Sequence, residues 1–378
     1  MNKKVIVAGH ICIDITPEIK GKPVGSIQDL FSPGSLINVG AADIHTGGLV
    51  ANTGLAMKFL GADVSLLGKV GNDFFGDMVE SILRSHDAAE GLIRKEGEST
   101  SYSIVLAIPG VDRIFLHDSG ANDTFTADDI PADRLKEAAL FHFGYPTSMK
   151  KMYENDGKEF VRVMKSAADS GAATSLDLTA LEPDSEPGRV DWKLLLSKVL
   201  PFTDIFVPSV GEICFMLDRD MYESISRRAG TRDFTEVLSL EENIIPLAEK
   251  CISMGAKIVL IKCGVSGLYY RVADEDRLGR ISPRIGIDAK KWAGKSGFVN
   301  SFKPDKILSG TGAGDTCAAA FLVSILNGYP PEKCAQYAAA TGACAVTTYD
   351  ALSGLKTFLQ LDEKFENGWQ QNNILLGR

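Results

Sequence analysis

The chain has 378 residues, of which 45% are hydrophobic, so it can bury a large core as one α/β domain or two smaller ones. Its 40 basic and 49 acidic residues leave a net charge of -9, which argues against nucleic acid or an anionic membrane as the main partner. No segment approaches the apolar length of a membrane span, so we expect a soluble, cytoplasmic protein.

Short apolar strands alternate with helical patterns in the first third of the chain. Gly61 closes the first helix, Asp73 is placed to cap the second, and a turn at 109–112 joins the last two strands. We predict strands at residues 4–8, 64–67, 100–108 and 113–117 and helices at 50–60 and 74–85.

The alternation is clearer from residue 139 onward. We predict strands at 139–143, 174–177, 204–207, 257–262 and 267–270 and helices at 160–170, 192–200, 244–254, 314–327 and 331–347. Such alternation predicts an α/β fold of three layers (αβα), with helices on both faces of a mostly parallel central sheet.

Two long stretches, residues 15–46 and 271–306, are irregular and only weakly periodic. The first could form a small β sheet outside the core together with the strand pair at about 100–119, and we expect this sheet to act as a lid over a ligand. We find no internal repeat and no linker between independent domains, so we predict a single domain over residues 1–378 that carries this lid.

Seven cysteines occur without a C-x-x-C pair, and their number is odd. Most lie in apolar stretches, so we expect buried free thiols in a reducing compartment and no metal cluster. They are Cys12, Cys214, Cys251, Cys263, Cys317, Cys334 and Cys344.

A glycine-rich loop precedes the apolar helix at 314–327. Gly312, Ala313 and Gly314 supply backbone N–H groups next to Asp315, at the positive end of the helix dipole. An acid is a poor phosphate ligand, but it suits a general base acting on a substrate hydroxyl. The loop therefore indicates phosphoryl transfer; the alternative is an ordinary glycine-rich turn at a helix start.

Two separated motifs give this chain a family resemblance. The run from Gly312 to Thr316 resembles the C-terminal signature of the ribokinase-like (PfkB) carbohydrate kinases, and Gly47-Gly48 with Asn52, followed by residues 68–76, resembles their early signature. Residues 120–122 and 262–267 resemble further family segments. The match spans roughly residues 4–350 and implies the ribokinase-like αβα fold.

The resemblance implies an ATP-dependent sugar kinase. Asp315 matches the acid that deprotonates the sugar hydroxyl attacking the γ-phosphate of ATP, and the N–H groups of Gly312, Ala313 and Gly314 match the anion hole. Two alternatives remain: a nucleoside kinase of the same fold, and a sugar-binding sensor without catalysis. Lids of relatives often pair edge to edge, so a homodimer through the lid is possible.

On the sugar side, Asp14 resembles the acid that binds sugar hydroxyls, while Gly47, Gly48 and Asn52 would add backbone and amide contacts. Arg113 stands in the strand pair, where it could reach the substrate from the lid. The alternative for Asp14 is an acid in a turn after a strand, and the alternative for the glycine pair is a strand-to-helix turn. Asn52 and Arg113 could instead be exposed polar residues.

On the nucleotide side, the resemblance implies that Lys262, Gly264, Gly267 and Thr311 border ATP and that Glu212 helps to hold Mg²⁺ through water. The alternatives are a strand-end turn for 264–267 and a first-turn acid that favours the helix dipole for Glu212.

Two positions depart from the family pattern. Ser209 stands where the family usually has Asn, so the shell around metal and phosphate can differ. Ser309 stands where many relatives have an Asp in the loop that binds potassium. Activation by K⁺ is therefore doubtful.

Overall fold

The computed structural model describes residues 3–21, 24–25, 30–109 and 114–373. In these ranges the strands are β1 Lys4–Gly9, β2 Cys12–Pro17, β3 Ala42–Gly47, β4 Asp63–Leu67, β5 Lys69–Gly71, β6 Ile93–Lys95, β7 Tyr102–Leu106, β8 Ile114–Asp118, β9 Leu140–Gly144, β10 Ala173–Asp177, β11 Ile205–Phe206, β12 Ile258–Lys262, β13 Gly267–Val272 and β14 Ser296–Asn300. The helices are α1 Gly48–Phe59, α2 Phe74–Ser85, α3 Ala132–Glu137, α4 Lys150–Tyr153, α5 Lys158–Asp169, α6 Trp192–Val199, α7 Val210–Leu217, α8 Arg219–Ala229, α9 Ile245–Ser253, α10 Glu275–Leu278, α11 Ala289–Trp292, α12 Ala313–Leu326, α13 Pro331–Ala345 and α14 Phe358–Glu366.

The central sheet has the strand order β14-β13-β12-β11-β10-β9-β1-β4. Strands β4, β1, β9, β10, β11 and β12 run parallel, and β13 and β14 are added antiparallel at one edge. The predicted mostly parallel sheet is confirmed. Because these six strands run parallel, their carboxyl ends share one edge of the sheet, where ligands bind in open α/β folds.

Helices cover both faces of this sheet. Along β1, Val5 and Val7 pack into one apolar core, while Ile6 and Ala8 pack into a second core on the opposite face. The first core is shared with α1, α12 and α13, and the second with α5, α6, α7 and α9. The three-layer αβα arrangement is therefore confirmed.

A second, four-stranded sheet has the order β3-β2-β7-β8. Strand β2 pairs antiparallel with β3 and parallel with β7, and β8 pairs antiparallel with β7. These strands lie in the stretches predicted to form a lid, and strands β5 and β6 make a further short pair. The second sheet joins the central one at the carboxyl ends of the parallel strands, because β2 begins three residues after β1 ends.

Helix α2 begins as expected from its sequence. The Oδ1 atom of Asp73 accepts a hydrogen bond of 2.8 Å from the amide of Gly76, and Oδ2 accepts one of 2.7 Å from the amide of Thr100. The predicted cap is confirmed, and the same carboxylate ties α2 to the loop before β7.

The prediction of an irregular stretch at 271–306 is wrong in part. This stretch holds α10, α11 and β14, and β14 completes the edge of the central sheet beside β13. The sequence of β14, Ser-Gly-Phe-Val-Asn, has no apolar run, because an edge strand is only partly buried. Helices α8 and α14 were likewise not predicted.

Among the residues that the structure describes, no helix is long and apolar enough to cross a membrane. All seven cysteines are buried and free, as the sequence predicted.

Candidate active site

The glycine-rich loop turns directly into α12. Gly312 has φ +71°, and a Cβ atom there would lie 2.4 Å from the Cβ atom of Ala351, so both the backbone angle and the space require glycine. The first-turn amides of α12 lie at the amino end of the helix, where anions bind. The amide of Ala313 donates to the carbonyl of Gly310 over 3.3 Å in this structure.

Asp315 lies in the first turn of α12 and is 3% exposed. Its Oδ2 atom accepts a hydrogen bond of 2.9 Å from Nδ2 of Asn52. The hydroxyl of Tyr145 lies 2.8 Å from Oδ1 and 2.9 Å from Oδ2. Burial raises the pKa of Asp315, although the Lys262 ammonium and these two hydrogen bonds oppose the shift.

A buried ion pair lies beside the loop. The ammonium of Lys262 contacts Oδ1 and Oδ2 of Asp177 at 2.8 and 2.7 Å, and the two side chains are 11% and 0% exposed. Burial would lower the pKa of Lys262, but the carboxylates of Asp177 and Glu212 outweigh it and raise that pKa, so the ammonium stays charged. Its Nζ atom would be 3.4 Å from a Cβ atom on Gly314, which puts a positive charge next to the predicted anion hole.

Glu212 lies near this ion pair at the start of α7. Its Oε2 atom accepts a hydrogen bond of 2.8 Å from the amide of Ser209, and the Ser209 hydroxyl accepts one of 3.4 Å from the Glu212 amide. This capping box bears out the reading of Glu212 as a first-turn acid. Its carboxylate also raises the pKa of Asp315, so it is close enough to act on the site. Metal binding by Glu212 stays a prediction.

The predicted sugar-side residues gather around β2 and α1. Asp14 lies inside β2 and is buried, so the alternative of a turn acid is wrong. A Cβ atom on Gly47 would be 2.1 Å from Oδ2 of Asp14, and one on Gly48, whose φ is +81°, would be 2.6 Å from Nδ1 of His10. The glycine pair is thus a strand-to-helix turn that also allows close packing of these side chains. Asn52 is buried rather than exposed.

Two histidines near Asp14 were missed by the sequence reasoning. The Nε2 atoms of His10 and His117 lie 3.3 Å apart, which joins the end of β1 to β8 of the second sheet. Nδ1 of His117 lies 3.0 Å from the hydroxyl of Ser103, and Nδ1 of His10 is buried with no hydrogen-bond partner within the described ranges. Burial lowers the pKa of His10 to about 3, so its ring is neutral.

Contacts connect the sugar-side residues to the catalytic acid. The rings of His10 and Tyr145 have centroids 6.0 Å apart, and Tyr145 in turn donates to Asp315. Asn52 donates to Asp315 from α1, the helix that begins at Gly48. The fold therefore brings both predicted motifs together, although 263 residues separate Asn52 from Asp315.

The predicted nucleotide-side residues form turns at the carboxyl edge of β12. Gly264 has φ +55° and Gly267 has φ +128°, and a Cβ atom on Gly267 would be 2.1 Å from the carbonyl oxygen of Val299. The strand-end turn is therefore borne out, and the amide of Thr311 donates to the Ser309 hydroxyl over 3.1 Å. Nucleotide contacts of these residues stay predictions. Arg113 lies outside the described residues.

Two glycines of the loop allow a matched test of its geometry. Gly312→Ala should lose about 1–2 kcal/mol or more of stability through its left-handed backbone and the contact with Ala351, and kcat should fall about a hundredfold as the loop moves. Gly314→Ala puts a Cβ atom at 3.4 Å from Nζ of Lys262, an ordinary contact, and should fold at least as well. Thermal melting and steady-state kinetics check both variants; equal losses in the two would contradict the assignment.

Comparisons with known proteins agree with this geometry. The family model described as pfkB family carbohydrate kinase matches residues 2–357. The chain is 26% identical to fructokinase-1 of Zea mays over 95% of this chain and 98% of that protein. It is 23% identical to 5-dehydro-2-deoxygluconokinase of Clostridium perfringens over 99% of this chain and 96% of that protein. The structure of a fructokinase with bound ATP from Xylella fastidiosa superposes with a TM-score of 0.69 at 19% identity, covering 97% of this chain and 99% of that one.

Proposed function

The chain belongs to the pfkB family of carbohydrate kinases, and on this premise we propose that it transfers the γ-phosphate of ATP to a hydroxyl of a small sugar, with Asp315 as the general base. The observation that carries the proposal is the position of Asp315. Its buried carboxylate lies in the first turn of α12, accepts hydrogen bonds from Asn52 and Tyr145, and is stabilised by the nearby positive charge of Lys262.

In the proposed reaction, the oxygen of the sugar hydroxyl forms a bond to the γ-phosphorus while the bond from that phosphorus to the bridging oxygen of ADP breaks. Asp315 takes the hydroxyl proton. The amides of Gly312, Ala313 and Gly314 and the Lys262 ammonium stabilise charge on the transferred group. The same loop that starts α12 thus holds both the base and the donors.

The residues present fit Mg²⁺ held mainly by phosphates. Within the described ranges no group of three or more His, Cys, Asp or Glu side chains is placed to hold a metal, and Mg²⁺ commonly uses one or two carboxylates with phosphates and water. Glu212 would supply that carboxylate, and Mg²⁺ would neutralise charge on the nucleotide. Activation by K⁺ stays doubtful, because Ser309 replaces the acid and its hydroxyl accepts from Thr311.

The charges around the sugar side favour an uncharged acceptor. Burial lowers the pKa of His117, and the carboxylates of Asp14, Asp118 and Asp123 partly oppose that shift, so three carboxylates lie near this ring. A sugar acid or sugar phosphate would be repelled there. We therefore propose a neutral polyol or ketose as substrate rather than an acidic sugar.

The second sheet would close over that sugar. Asp14 lies on β2 and His117 on β8, so the sugar would bind against this sheet. Closure of the sheet over the bound sugar would exclude water from the transfer. The sheet also exposes Ile44 and Leu116 by 40% and 53%, and the strand register places both on one face, which supports a homodimer through two such sheets. We place the enzyme in the cytoplasm, as seven free thiols suggest.

The proposal is tested by measuring ADP formation with ATP and Mg²⁺ against neutral sugars, sugar acids and nucleosides. Sugar-dependent turnover with a neutral sugar supports it, and turnover with nucleosides alone would show a nucleoside kinase. Tight sugar binding in a thermal-shift assay without any turnover would show a sensor. A sensor does not need a buried general base, and the position of Asp315 argues against it.

Asp14→Asn should raise the KM for the sugar about tenfold to a hundredfold and leave the KM for ATP unchanged, because a charged acceptor of two hydroxyls becomes a neutral one. Asp43→Asn is the matched control, since Asp43 is an exposed acid on the neighbouring strand β3. Steady-state kinetics with each substrate varied check both. An unchanged KM for the sugar in Asp14→Asn would refute the assignment.

A further inference from the structure

We propose that the hydroxyl of Tyr145 occupies the place of the acceptor hydroxyl on Asp315 until a sugar arrives, and so prevents the base from activating water. The inference rests on the proposed role of Asp315 as general base. It assigns Tyr145 as a positioning residue that favours transfer to sugar over hydrolysis of ATP. Sequence motifs gave no sign of it.

The geometry of the hydrogen bonds carries the proposal. A general base must lie within about 2.6–3.2 Å of the hydroxyl that it deprotonates. The Tyr145 hydroxyl satisfies that distance to both carboxylate oxygens of Asp315, at 2.8 and 2.9 Å, while Asn52 donates to Oδ2. A water molecule or sugar hydroxyl has to compete with this phenol for the carboxylate.

The phenol acts only as a donor. Burial raises the pKa of Tyr145 well above its usual range, and the Asp315 and Asp177 carboxylates raise it further. Tyr145 therefore keeps its proton and does not compete with Asp315 as a base. A protonated hydroxyl on a carboxylate reproduces the contact that the acceptor makes before transfer.

The backbone of Tyr145 is in an unusual conformation that directs the ring to this place. Its φ is +63° and its ψ is +41°, in the left-handed region that residues with side chains seldom adopt. It follows the carboxyl end of β9, and its amide donates to the carbonyl of Asp177 over 3.3 Å. Such strain persists where the surrounding structure fixes it, often at functional sites.

The consequence concerns which oxygen attacks ATP. Without sugar, water could form the bond to the γ-phosphorus, give its proton to Asp315, and release ADP and inorganic phosphate. With Tyr145 on the carboxylate, this reaction is suppressed. A bound sugar, held by Asp14 as proposed above, places its hydroxyl on Asp315 in place of the phenol, and transfer then proceeds.

The test compares ADP formation without sugar and with saturating sugar in Tyr145→Phe. We expect the ratio of hydrolysis to sugar phosphorylation to rise at least about tenfold through faster hydrolysis. The kcat with saturating sugar should change little, because the sugar hydroxyl has replaced the phenol before transfer. The acidic limb of kcat/KM, which reports the enzyme before a sugar has displaced the phenol, should move to higher pH. The Tyr145 hydrogen bond lowers the pKa of Asp315, so its loss raises that pKa. The other charged groups that act on Asp315, namely Lys262, Glu212 and Asp177, are unchanged in this variant.

Tyr337→Phe is the matched control, because the Tyr337 hydroxyl donates to Oδ2 of Asp362 over 2.8 Å, between α13 and α14. In this variant the ratio of hydrolysis to sugar phosphorylation should equal that of the unsubstituted enzyme. A ratio and pH profile unchanged in folded Tyr145→Phe would overturn the inference.

Should Tyr145→Phe fail to fold, Tyr145→Leu and Tyr145→Gln give the same comparison. The Leu variant lacks a donor and should raise the ratio, whereas the Gln amide can donate and should hold it near the original value. Equal ratios in the two would overturn the inference. A wild-type enzyme without sugar-dependent ADP formation would instead refute the proposed function.

Discussion

Asp315→Asn is expected to fold and to lose about a thousandfold or more of kcat while both substrates still bind. A positioned general base contributes about 10²–10⁴ in rate, and the amide of asparagine cannot accept the proton. The side-chain oxygen of Asn can still accept from Asn52 or Tyr145, which donate to Asp315 in the native chain. The geometry of the loop is therefore kept.

The same substitution has a predictable effect on stability. Burial raises the pKa of Asp315 above its value in the unfolded chain. The ionised carboxylate therefore lowers the free energy of unfolding at neutral pH. This loss shrinks as the pH drops through the folded pKa and is gone below the unfolded pKa. Asp315→Asn should therefore melt at the same or a higher temperature at neutral pH. The acidic limb of kcat/KM in the native enzyme should lie above the ordinary range of an aspartate.

The control is Asp362→Asn, at a carboxylate that accepts from Tyr337 and Lys333 away from the loop. It should leave kcat unchanged. If Asp315→Asn melts as one sharp transition and keeps more than a tenth of the native kcat, Asp315 is not the general base.

Local patterns explain why one part of the site was predictable. Gly312 to Asp315 combine a left-handed turn, first-turn amides and an acid within four residues, so their chemistry can be inferred without knowing the fold. The same holds for Gly47-Gly48 before α1. The parallel sheet was predictable for a similar reason, since buried strands give apolar runs.

Partners that meet only through topology could not be predicted. Tyr145 and Asp177 stand at the carboxyl ends of β9 and β10, and neither belongs to a motif. Their role comes from the strand order, in which only the short strand β11 separates β10 from β12, so that Asp177 meets Lys262 and Tyr145 meets Asp315 of α12. The available signal was their position, two residues after the predicted strand 139–143 and at the end of the predicted strand 174–177, where open α/β sheets bind ligands. The partly buried strand β14 lacked even an apolar signal.

The second large effect is expected for Lys262→Met, which should lower both stability and kcat. Removing the ammonium leaves the Asp177 carboxylate buried without its ion-pair partner, and breaking such a pair costs about 3–5 kcal/mol. It also removes the positive charge next to Gly314, so kcat should fall about a hundredfold or more. Thermal or denaturant unfolding and steady-state kinetics measure the two losses.

Two further variants separate these losses. Lys257→Met breaks a comparable ion pair with Asp204, whose side chains are 13% and 9% exposed, and should lower stability without changing kcat. Lys262→Met with Asp177→Asn removes both charges and keeps an oxygen to accept from the Leu178 amide, so most of the lost stability should return. Because the charge near the γ-phosphate is still missing, kcat should stay low. Recovery of kcat together with stability would mean that Lys262 serves only to neutralise Asp177.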